Sequence, residues 1–93
     1  MVIGICTLQL ILSGSQSLKD KRQVIKSLLD RIRERFNVSA AEVDDLDSWQ
    51  RATLGFACVS NEQSFVDRVL QKVLSTVESN PLVEVAAVEM EFV

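Results

Sequence analysis

Hydrophobic spacing switches between two periods along this chain, and the order of the switches leaves few folds open. Apolar residues alternate over 2–12, recur at three- and four-residue steps over 17–36, then alternate again over 38–43 and 49–60. Helical spacing returns from Phe65 to Val77, and alternation closes the chain over 82–93. A period of two is the mark of a strand and a period near 3.6 that of a helix. The predicted order is therefore βαββαβ, an α+β ferredoxin-like two-layer sandwich. It has a four-stranded antiparallel sheet in order 4-1-3-2, with two helices on one face. Ninety-three residues accommodate one such domain, residues 1–93.

Local chemistry supports the element boundaries. Ser17 followed by Asp20 reads as a capping box, so the first helix should begin at Ser17 or Leu18. Leu18, Ile25, Leu28, Leu29, Ile32 and Phe36 form its apolar face, and Asn37 is placed to close it in the left-handed conformation. Residues 44–48, DDLDS, read as a polar turn. Ser60 or Asn61 should cap the second helix, with Gln63 completing the box and Glu62 supplying a first-turn acid. Phe65, Val66, Val69, Leu70, Val73, Leu74 and Val77 form its buried stripe, and Asn80-Pro81 ends it.

The charge is unevenly spread. Residues 17–36 hold seven of the ten cations (Lys19, Lys21, Arg22, Lys26, Arg31, Arg33 and Arg35) against Asp20, Asp30 and Glu34, in a chain of net charge -3. Cations in a first turn oppose the helix dipole, yet Lys19, Lys21 and Arg22 sit there. At about 100° per residue, Lys19, Arg22, Lys26 and Arg33 fall within about 60° of one another, interrupted by Asp30. The spacing predicts an anion or RNA-phosphate site at Ser17, Lys19, Lys21, Arg22, Lys26 and Arg33, with amides of the SGSQS turn contributing. Two plainer readings stand beside it. The cations form i to i+4 pairs such as Lys26 with Asp30, or they pair with the acidic hairpin of Asp44, Asp45 and Asp47.

The sheet face away from the helices should carry Ile3, Ile5, Thr7, Thr53, Gly55, Ala57, Val59, Val83, Val85 and Ala87, more apolar than water should meet. A homodimer would cover it, with Ile3, Ile5, Thr53, Ala57, Val59, Val83 and Val85 at the interface. Shielding by the chain's own termini and hairpin is the alternative. Cys6 and Cys58 lie in apolar alternating runs and read as reduced structural thiols.

Histidine is absent, and no P-loop, dinucleotide fingerprint, metal-ligand spacing or nucleophile–base pairing occurs. We therefore expect no catalytic residues, no metal and no cofactor. Glu89 and Glu91 share a strand face, without basic company, and read as a solvated edge. The first strand has no aromatic residue and Phe56 faces the core, so the sheet offers no base-stacking platform of the RNA-recognition type. The run over residues 1–12 has neither a basic leader nor the length of a membrane span, and the protein is expected to be cytoplasmic, without a membrane partner.

The blocks Ser17-Leu18-Lys19-Asp20-Lys21-Arg22, Arg35-Phe36-Asn37-Val38-Ser39 with Ala41-Glu42-Val43, and Trp49-Gln50-Arg51-Ala52 resemble the YlxP-like family of small bacterial proteins, a domain of unknown function. The resemblance spans essentially the whole chain and implies a ferredoxin-like fold. It also implies a setting near the ribosome, since such proteins are typically encoded beside translation initiation and ribosome-binding factors. It transfers no catalytic residue. The function expected is that of a non-enzymatic accessory protein binding structured RNA or a ribosomal particle through the basic helix. The alternative is a self-assembly or protein-interaction module without a nucleic-acid role.

Overall fold

The computed structural model describes residues 1–93. Its elements are β1 (Val2–Ile11), α1 (Leu18–Arg35), β2 (Ser39–Asp44), β3 (Arg51–Ser60), α2 (Gln63–Glu78) and β4 (Glu84–Phe92). The strands form one antiparallel sheet in the order β2-β3-β1-β4, which is 4-1-3-2 read from the other edge. This is the ferredoxin-like α+β sandwich predicted from periodicity.

One face of the central strands β1 and β3 presents Cys6, Leu8, Leu10, Ala52, Leu54, Phe56 and Cys58 to the helices, all buried. Ile25, Leu28, Leu29 and Ile32 of α1 and Val66, Leu70, Val73 and Val77 of α2 meet them. Gly4 is required where α2 crosses β1. A Cβ there would lie 2.2 Å from Val66 Cγ1 and 2.8 Å from Leu70 Cδ1, well inside contact distance. The two cysteines are free and buried, and burial pushes the Cys6 thiol up from 9.0 to about 11 and the Cys58 thiol in the same direction.

Three local expectations need correction. Asn37 does not adopt the left-handed conformation, because α1 ends on Phe36 in an extended conformation. The second helix begins later than expected, at Gln63. Its N-cap is Glu62, whose side chain caps nothing, while Ser60 Oγ accepts from the Glu62 amide at 3.3 Å. Phe65, assigned to the buried stripe of α2, is 46% exposed; it lies roughly 110° around the helix from the centre of that stripe.

The largest correction concerns β4. Pairing with β1 shifts between Gln9 and Leu10, which face Ala87 and Val85 and leave Ala86 unpaired. This bulge reverses the phase of alternation. Val83 and Val85 consequently pack against the core, and the expected dimer-face residues Val83 and Val85 belong to the helix side of the sheet. Leu82 and Ala86, which unbroken alternation with Val83 and Val85 would have put on the helix side, are exposed.

Candidate functional site

The start of α1 satisfies itself. Ser17 Oγ accepts from the Asp20 amide at 3.0 Å, and Asp20 Oδ2 reaches back to accept from the Gln16 amide at 3.2 Å. The reciprocal pattern is the capping box read from the sequence, shifted by one residue on its return arm. The Gln16 and Asp20 amides and the Ser17 hydroxyl are thus engaged within the chain, and a carboxylate already occupies the favourable end of the dipole.

Lys21 is the residue for which the sequence reading needs correction. Grouped there with the anion-binding cations, it has a side chain with no exposure at all. Its Nζ donates to the Asp45 carbonyl at 2.6 Å and lies 2.7 Å from Glu42 Oε2. The second contact is ionic: Glu42 Oε2 has no aligned hydrogen-bond partner, and its side chain retains 15% exposure. Lys21 could not reach a phosphate without leaving this pair uncompensated. A signal was present, since Lys21 precedes Ile25 by four residues and Leu28 by seven, on the apolar stripe itself.

The far end of that contact is the β2–β3 hairpin. Asp45 has φ 60, a left-handed conformation that Asp tolerates better than most residues. Its carbonyl also accepts from the Ser48 amide at 3.0 Å, its amide donates to Asp44 Oδ1 at 2.8 Å, and Thr53 Oγ1 donates to its Oδ2 at 2.8 Å. The expected pairing of the first-turn cations with the carboxylates of Asp44, Asp45 and Asp47 does not form; Lys21 instead joins helix start to hairpin through Glu42 and a backbone carbonyl of Asp45. Gln50, missed in the sequence, ties β3 to the turn before α1: its Nε2 donates to the Ser15 carbonyl at 3.0 Å.

The remaining cations stay outside. Lys19 and Arg22 are exposed and form no ion pair, whereas Lys26 and Arg33 converge on Asp30 at 2.8 and 3.5 Å. The hydrogen bond from Lys26, with the charge of Arg33, holds the Asp30 carboxyl below the usual carboxylate range. Arg33 also donates through Nη2 to the Ala40 carbonyl on β2. That strand is an edge, and the contact masks one of its acceptors.

The open sheet face carries Ile3, Ile5 and Thr7 on β1, Gly55, Ala57 and Val59 on β3, and Ala41 and Val43 beside them on β2. Val43 and Val59 are more than half exposed. Ile5, Ala41, Val43, Gly55 and Ala57 line a shallow depression of about 340 Å³. Thr53, expected at the interface, belongs to this face by register but is only 8% exposed, its hydroxyl held by Asp45. Glu84, Glu89 and Glu91 on β4 border the apolar area, and Arg51 stands at its end. No group of three or more potential metal-ligating side chains is brought together, and no helix is long and apolar enough to cross a membrane.

Comparison with known proteins adds a family. Residues 3–90 match the family described as "Protein of unknown function (DUF503)". A curated relative from Bacillus subtilis (strain 168), "Uncharacterized protein YlxP", is 39% identical over 83 residues, covering 89% of this chain and 90% of the relative.

Proposed function

The chain belongs to the DUF503 family, of unknown function, and from that premise we propose that it is a non-enzymatic interaction module that pairs with a second copy of itself through the open sheet face. The observation that carries this reading is the contiguous apolar surface around Ile5, Ala41, Val43, Gly55 and Ala57, which has no covering element in the chain. A second copy suits it because a two-fold axis sets like against like and buries both apolar areas at once. The rim favours the same occupant, since Arg51 and the glutamates of β4 supply opposite charges for a two-fold partner. The test is sedimentation equilibrium on the wild type and Ile5→Lys. The expected result is twice the chain mass for the wild type and one chain mass for the variant, with unchanged circular dichroism. A monomeric wild type at high micromolar concentration overturns the reading.

A second reading, binding to structured RNA or a ribosomal particle, is favoured by a separate observation. Six of the seven α1 cations remain exposed: Lys19, Arg22, Lys26, Arg31, Arg33 and Arg35. A dimer closed through the sheet leaves both helical layers outward, so the two readings are compatible. Phosphate contacts would make binding fall steeply with salt. Co-sedimentation with ribosomal subunits over a salt series, comparing wild type with Lys19→Ala/Arg22→Ala, tests this reading. Lys21 is left intact in that variant because its loss would disturb the fold.

A further inference from the structure

We propose that the cleft between the end of α1 and the start of α2 binds a nucleotide, with the base stacked against Phe36 and Phe65 and the phosphate held by Arg35 and Lys72. The cleft measures about 360 Å³, and Arg35, Phe36, Asn37, Phe65, Val69 and Lys72 are among its lining residues. Ligand sites for small molecules begin at roughly 300 Å³.

Charge sets this cleft apart. The chain has thirteen acids and ten bases, and the depressions along α1, beside the turn before it and against β4 each include a carboxylate: Asp30 and Glu34, Asp20, and Glu89 and Glu91 respectively. No acid lines the cleft between the helices or the depression on the open sheet face, but of these two the cleft alone carries cations, Arg35 and Lys72. Neither Arg35 nor Lys72 nor the neighbouring Arg68 takes part in an ion pair, so their charge is available to an anion.

The aromatic and guanidinium planes at the cleft suit an anion that also carries a planar ring. The Arg35 guanidinium stands over the Phe36 ring at 5.4 Å from its centroid and that of Arg68 over Phe65 at 6.0 Å, so each ring has one face taken by an arginine and a base would stack on the opposite face. Phe and Arg planes are the surfaces on which unpaired bases stack. Phe65 is held 46% exposed on a helix that buries its other large apolar groups more fully. The Asn37 amide supplies both a donor and an acceptor at the same cleft, as a base edge requires. Val59 of β3, at the end of the open sheet face, also lines the cleft, so binding is tested with and without self-association.

The ligand chemistry is shared by a free nucleotide and by an unpaired nucleotide of an RNA strand, and a titration separates them. Amide ¹H–¹⁵N spectra of the full chain, wild type and Ile5→Lys, would be recorded with adenosine monophosphate and with a single-stranded oligoadenylate. Shifts centred on residues 35–37 and 65–72 are expected in both backgrounds. Much tighter binding of the oligonucleotide at those amides assigns an RNA strand, and equal affinity assigns a free nucleotide. Phe65→Ala should weaken binding by roughly tenfold, whereas Phe65→Trp, which keeps a stacking face, should retain it. Shifts confined to residues 19–26, absence of shifts at millimolar ligand, or a glutamate-rich peptide displacing the oligonucleotide from the same amides would each overturn the proposal.

Discussion

The two faces of the sheet are built from the same strands, and alternate residues of β1 and β3 serve them in turn. On the helix side, Leu8, Leu54 and Phe56 are sealed, Gly4 admits α2 at contact distance, and even a lysine is closed over. On the other side, Ile5, Ala57 and Val59 are similarly apolar but lie partly or largely in solvent. Composition hardly distinguishes the faces. What differs is whether this chain supplies a second layer, so substitutions on the first face should act on folding and those on the second on association.

Lys21→Ala should break that division most clearly, because it is a charged residue whose removal behaves as a core lesion. Leaving Glu42 without its counter-charge and taking away one of the two donors to the Asp45 carbonyl should cost about 2–4 kcal/mol, less than a fully buried pair because Glu42 keeps some solvent. Urea unfolding measures it, and Lys21→Met should recover part of the loss by restoring apolar volume. Gly4→Ala should come next, at about 1–3 kcal/mol, from overpacking against Val66 and Leu70. A fall in melting temperature with unchanged oligomeric state is the expected signature.

The helix-side face also predicts an alkaline limit. The Cys6 thiol has its folded value raised to about 11 from 9.0, so its burial as a neutral group contributes stability that is fully present below pH 9. That contribution is lost as pH rises from 9 towards 11, by on the order of 2 kcal/mol. Melting temperature against pH should decline over this window, and less steeply in Cys6→Ala. Ile5→Lys, on the open face beside its cross-strand partner Glu91, should change monomer stability by less than about 1 kcal/mol while abolishing the proposed self-association. Lys19→Ala sharpens the comparison at its smallest scale. Two residues from Lys21 but exposed and unpaired, it should shift stability by no more than about 0.5 kcal/mol in the same urea measurement.

The capping box of Ser17 and Asp20 was legible because its partners lie within four residues, and so was the pairing of Lys26 with Asp30. The partners of Lys21 were harder to read because Asp45 is twenty-four residues away and contributes a carbonyl, which every residue possesses. The basic stripe was legible as a count and as an angle. Its division into two cations held by Asp30 and two free ones, like the burial of Lys21 beside it, depended on contacts that spacing does not specify. Phe65 went astray for a related reason: an apolar residue at the margin of a helical stripe is buried only if a neighbouring element extends over it, and α1 ends there.

The sequence alone determined the order of elements, the two-layer arrangement, the start of α1 and the apolar character of both sheet faces. Those properties follow from side-chain period and from hydrogen bonds made within a turn or two, which depend on near neighbours. Only the tertiary structure decided that the hairpin closes over Lys21, that one unpaired residue at Ala86 returns Val83 and Val85 to the core, and that Phe36 and Phe65 line one cleft with Arg35 and Lys72. Period specifies direction about an element's own axis. It does not specify which element stands opposite or where a bulge resets the phase, and those are settled when distant segments pack.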